Sequence, residues 1–132
     1  MNKKDIISEL ERFPFDRNEY WLITGSAMVL YGIREQTHDI DMGCTEKMAD
    51  LLEKEGYLCK ITSEGRRYFK YGELIEIFEG WICDHADEVE GYQVISIRGL
   101  IEMKRSLGRE KDIRDIKLIE EHLKDVKSEN GE

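Results

Sequence analysis

The stretch Ile23-Thr24-Gly25-Ser26, followed after twelve intervening residues by Asp39-Ile40-Asp41-Met42, decides how this chain is read. Gly25 lacks a Cβ, so the backbone can turn sharply there and approach a ligand closely. Ser26 then falls at the start of a predicted helix, where free N–H groups and the positive end of the dipole favour phosphate, and its hydroxyl adds a donor. Residues 37–42 alternate polar and apolar, which puts Asp39 and Asp41 on one strand face and Ile40 and Met42 on the other. Two carboxylates one pleat apart, about 6.6–7 Å by strand rise, can converge on one cation or bracket two. Hard oxygen donors of this kind suit Mg²⁺ or Mn²⁺.

Outward from that centre, residues 20–24 form a short apolar run that suits a buried strand, and residues 26–31 follow as a short helix stopping at Gly32. Thr45 caps a predicted helix over 46–55. Strand-like runs come next at 57–61, Arg67–Tyr71 and 74–78, the last two joined at Gly72. Tyr92–Ile95 reads as a further strand, with Ser96 capping a helix over Ile97–Leu107 that ends at Gly108. A last helix over 112–126 is expected to turn Ile113, Ile116, Ile119 and Leu123 inward, and the opening helix Lys3–Arg12 to bury Ile6, Ile7 and Leu10. The sum is an α+β chain with a mixed sheet and helices packed mainly on one side. Residues 1–126 read as a single domain and 127–132 as a polar, disordered tail.

The run Leu74-Ile75-Glu76-Ile77-Phe78 contains one charge, Glu76. An unpaired carboxylate in an apolar strand is costly, so Glu76 calls for a metal, a cation or a proton, whereas Glu73 and Glu79 flank the run and can face water. Glu76 is therefore the candidate third carboxylate, able to accept the proton of an attacking hydroxyl.

Composition sets the frame. The 132 residues are 40 % apolar and 37 % charged with a formal net charge of −9, enough for one modest core and adverse to gripping nucleic acid by bulk electrostatics. A divalent cation would let such an acidic chain hold a nucleotide's phosphates. No apolar run approaches the roughly 20 residues of a membrane span, and no signal segment is apparent at the start. Cys44, Cys59 and Cys83 are odd in number and form no CxxC pair. They read as small buried hydrophobes in a reducing, cytoplasmic setting. Trp21 and Trp81 read as core residues.

Gly25-Ser26, the spacing and Asp39-Ile40-Asp41 resemble the signature of the DNA polymerase beta–type nucleotidyltransferase superfamily. Gly32-Ile33-Arg34 through Asp41, together with residues 94–104, 108–112 and 115–116, is similar to its small prokaryotic members, the abortive-infection toxins and antibiotic nucleotidyltransferases. The likeness runs from about Tyr20 to Leu123. It implies a minimal nucleotidyltransferase fold in which Asp39, Asp41 and Glu76 bind two Mg²⁺ or Mn²⁺ ions and carry catalysis, while Gly25 and Ser26 hold the triphosphate of an NTP. The third position is usually Asp in catalytic members; here it is Glu, one methylene longer.

The expected reaction is transfer of an NMP group to an acceptor (RNA, protein or small molecule) with release of pyrophosphate. The alternative is a non-catalytic nucleotide-binding or protein-interaction module, such as a toxin–antitoxin component with a co-expressed partner. Arg34 and Lys104 are candidate phosphate contacts. Arg34 is equally placed to pair with Asp39, Asp41 or a carbonyl, and Lys104, Arg109 and Lys111 to pair with Asp112 and Asp115.

Overall fold

The alternation of Ile40, Met42 and Cys44 with Asp41 and Gly43 builds the central strand of the fold, with the apolar set turned into the core. The computed structural model describes residues 1–80 and 86–129, with side chains through 125. Its elements are α1 (Lys3–Arg12), β1 (Tyr20–Leu22), α2 (Thr24–Leu30), β2 (Ile40–Cys44), α3 (Glu46–Lys54), β3 (Cys59–Ile61), β4 (Arg67–Tyr71), β5 (Ile75–Glu79), β6 (Ala86–Val89), β7 (Tyr92–Ile95), α4 (Ile97–Leu107) and α5 (Glu110–Glu129). The seven strands form one sheet in the order β3-β4-β5-β2-β1-β7-β6. The β2–β5 and β1–β7 pairs are parallel and the others antiparallel, so the sheet is mixed as expected.

Over the central strands one face of the sheet is apolar and buried. Ile40, Met42, Ile77 and Phe69 on it pack in one cluster with Ile6 and Leu10 of α1 and with Met48 and Leu52 of α3. Each such side chain contributes roughly 1.5–3 kcal/mol through burial. The other face carries Asp41, Glu76 and Tyr68, all half-buried, and the exposed Lys70. Among the described residues no helix is long and apolar enough to cross a membrane.

The predicted caps are present: the Thr45 hydroxyl accepts from the Met48 N–H and Ser96 from the Gly99 N–H. Several boundaries move. Strand β2 starts at Ile40 and not at Thr37, so Asp39 stands at its entry, and helix α2 begins at Thr24, ahead of the glycine. Strand β6 has no apolar alternation to announce it; a tight turn at Glu90 and Gly91, both at positive φ, folds it back on β7.

Helix α5 reverses one expectation. Ile119 is buried as predicted, yet Ile113 is 63 % and Leu123 41 % exposed, while Asp112 and Asp115 face inward. Ion pairs to α4 set which side of this helix is buried, overriding its apolar periodicity. Cys44 is a buried thiol as expected, pushed up to about 12 by burial, whereas Cys59 is half-exposed on edge strand β3. Trp81, Cys83 and residues 130–132 lie outside the described residues.

Gly43 is required by close approach. The Trp21 indole lies over it, and a Cβ built there would meet Trp21 Nε1 at 2.4 Å. Gly43→Ala is expected to cost about 1–3 kcal/mol by displacing the indole, read as a lower urea midpoint at unchanged slope. An unshifted midpoint would mean that the indole re-seats freely.

Candidate active site

The parallel pairing of β2 with β5 makes Asp41 and Glu76 register partners, so two carboxylates from strands distant in sequence stand side by side on the open face. Lys70 of β4 is the register partner of Glu76 and extends the row. Asp41 accepts a hydrogen bond at Oδ2 from the Thr24 hydroxyl at 2.7 Å. Its Oδ1 is buried and, among the described residues, accepts from no N–H donor or hydroxyl. Glu76 accepts at Oε1 from the Tyr68 hydroxyl at 2.8 Å.

Burial is the main reason the Asp41 carboxyl is pushed up to about 6; the Thr24 hydroxyl works against this, while a hydrogen bond with Glu76 and the charges of Glu76 and Asp39 add to it. Two carboxylates that approach in a half-dry site share a proton or take up a cation. The Tyr68 hydroxyl, buried beside the same group of charges, is pushed up to about 12.

Asp39 is exposed at the entry to β2. Among the described residues no three His, Cys, Asp or Glu side chains stand in ready ligating geometry, while the charge of Asp39 still acts on both Asp41 and Tyr68. Strand β2 begins one residue after Asp39.

Two other candidate residues are engaged within the fold. Ser26 is fully buried, and its hydroxyl donates to the carbonyls of Ile23 at 2.9 Å and Asp41 at 3.0 Å. It ties the start of α2 to β2, so the hydroxyl is engaged with the backbone. Lys104 is 3 % exposed, with Nζ 2.9 Å from Asp115 and 3.7 Å from Asp112. Its charge is spent inside the α4–α5 pair, so the packing role weighed for it is the one realised.

Arg34 bonds neither Asp39 nor Asp41. Its Nη2 donates to Asp115 Oδ1, and its Nη1 would lie 3.2 Å from a Cβ at Gly25, where the Thr37 hydroxyl would lie at 2.7 Å. The glycine is thus required because Thr37 and Arg34 close over the turn. Asp112 is held below the usual carboxylate range chiefly by its hydrogen bond from Arg109. His38 is exposed, and Arg67 is occupied by Glu79, Asp50 and Glu53.

Sequence reasoning missed Thr24 and Tyr68. The strand pattern of 67–71 marks Tyr68 as facing the same side as Lys70, but its reach to Glu76 follows only from the β4–β5 register.

The fold is similar to that of the solved structure of the nucleotidyltransferase ANT(2")-Ia in complex with adenylyl-2"-tobramycin, at 18 % identity over 81 % of this chain and 81 % of that one, with a TM-score of 0.53. No family model matches the sequence, and no curated protein matches it. At that identity the likeness establishes a nucleotidyltransferase fold, and the chemistry has to be argued from the site.

Proposed function

We propose that the chain is a metal-dependent nucleotidyltransferase that moves an NMP group from an NTP to an acceptor and releases pyrophosphate. The observation that carries this reading is the Asp41–Glu76 pair on adjacent parallel strands of this fold, with one Asp41 oxygen buried and, among the described residues, accepting from no N–H donor or hydroxyl. The donor set fits Mg²⁺ or Mn²⁺: hard oxygens, mutual repulsion and an orphaned acceptor that a cation would satisfy. Asp41 and Glu76 would hold it, with Asp39 joining from the entry to β2. Such an ion supplies charge neutralisation at the phosphates and polarises the α-phosphoryl group.

The remaining work falls to the chain's own side chains. Glu76 accepts the proton of the acceptor's hydroxyl as its oxygen bonds to the α-phosphorus, and the bond to the pyrophosphate oxygen breaks. Arg34, fixed over Gly25, is the phosphate contact on the side of α2. Ser26 acts by anchoring that turn. The similar solved structure is a complex with adenylyl-2"-tobramycin, which supports a small-molecule hydroxyl as one acceptor class.

Calorimetric titration of Mg²⁺ or Mn²⁺ with each of ATP, CTP, GTP and UTP is expected to show nucleotide binding only when metal is present. Silence in every pairing would overturn the reading. The exposed position of Asp39 favours a second one, a nucleotide-binding or protein-interaction module without catalysis, perceptible as metal-dependent binding with no label passed to any component of a cell extract.

A further inference from the structure

The carboxylate pair has company that the reaction itself does not require. Thr24 comes from the chain leaving β1 and Tyr68 from β4, so in the order β4-β5-β2-β1 the two hydroxyls flank the pair from outside. Each fills one oxygen of its carboxylate, Asp41 Oδ2 at 2.7 Å and Glu76 Oε1 at 2.8 Å. Asp41 Oδ1 is left buried and, among the described residues, without a donor. We infer that Thr24 and Tyr68 are positioning residues that clamp Asp41 and Glu76 in a cation-ready orientation, a step that rests on the reading proposed above.

Two independent features separate this from incidental hydrogen bonding. Thr24 holds φ at +49°, in the left-handed region that a β-branched residue rarely enters and that persists only where the surroundings impose it. That backbone is the one from which Oγ1 meets Asp41. Tyr68 is the register partner of Phe78 and not of Glu76, and it reaches Glu76 diagonally with its ring fixed against Phe78 at a centroid distance of 5.1 Å. The extra methylene of Glu76 adds a rotatable bond, and the Tyr68 hydroxyl removes that freedom.

The test uses the full chain and Mn²⁺ alone, followed by electron paramagnetic resonance, with folding checked by thermal unfolding. Tyr68→Phe and Thr24→Val are each expected to weaken Mn²⁺ binding by about 10-fold or more, the usual consequence of losing a hydroxyl that orients a ligand. Thr24→Ser should restore the wild-type value. In steady state kcat should fall while KM for the nucleotide stays, and Tyr68→Phe should add nothing once Glu76→Gln is present. Wild-type Mn²⁺ affinity in both folded variants, with binding still lost in Asp41→Asn, would overturn the clamp and leave the reading of the site standing. If the wild-type chain itself holds no Mn²⁺, that reading fails and the clamp with it.

Discussion

Asp41→Asn is expected to abolish metal-dependent nucleotide binding and, in the same protein without metal, to raise stability at pH 8. The two effects have one cause. Burial and the neighbouring acids Glu76 and Asp39 push the Asp41 carboxyl up from an ordinary 3.8 to about 6. A folded state that binds the proton more tightly than the unfolded chain gains stability from this group below pH 4. The gain is lost as the pH rises through about 6, and above that the carboxylate is a standing cost.

The gap between those two values corresponds to no more than about 3 kcal/mol, and proton sharing with Glu76 reduces it, so a gain on the order of 1–3 kcal/mol is expected at pH 8. Asparagine can still accept from the Thr24 hydroxyl and donate toward Glu76, so the site keeps its hydrogen bonds while losing the repulsion. Urea unfolding of both proteins from pH 4 to 8 reads the result. The variant should show a flatter profile between pH 4 and 6 and a higher midpoint at pH 8. A variant no more stable than wild type at pH 8 would mean that Asp41 is not strained by its neighbours, and the main physical argument for a cation at this site would go.

That trade of stability for charge is visible in the chain only in part. The strands Arg67–Tyr71 and Tyr92–Ile95 and the helix Ile97–Leu107 follow from local pattern and capping, because β-branched and aromatic runs and a Ser96 cap act within a few residues. The choice of Glu76 over Glu73 and Glu79 was likewise open to the sequence, since a lone charge in an apolar run needs a reason. The pairing of Glu76 with Asp41 was not, because parallel strands far apart in the chain carry no local mark of their register.

The same limit hid Thr24 and Tyr68, whose roles depend on which strand lies next to which. At Asp39 the alternation that continues from residue 37 outruns the sheet, because the ladder with β5 starts at Ile40. On α5 the period-matched Ile113 and Leu123 suggested the inner stripe, and the buried side is instead the one that answers Lys104.

Lys104→Met should therefore carry the largest stability loss of any single change outside the core. Methionine keeps the length and apolar stem of the side chain and deletes only the ammonium, leaving Asp112 at 0 % and Asp115 at 6 % exposure with one cation fewer between them. Breaking a buried pair by removing one partner typically costs 3–5 kcal/mol; Arg34 still reaches Asp115 and Arg109 still reaches Asp112, so about 3 kcal/mol is expected.

Adding Asp115→Asn removes the stranded charge and should recover part of the loss, a coupling that the double-mutant cycle measures directly. The consequence reaches the site because Asp115 also holds Arg34, which lies in the segment between α2 and β2 and closes over Gly25. One carboxylate thus joins α4, α5 and the segment that delivers Asp39. A loss under about 1 kcal/mol would show that this carboxylate is solvated after all and that the C-terminal helices do not set the position of Arg34.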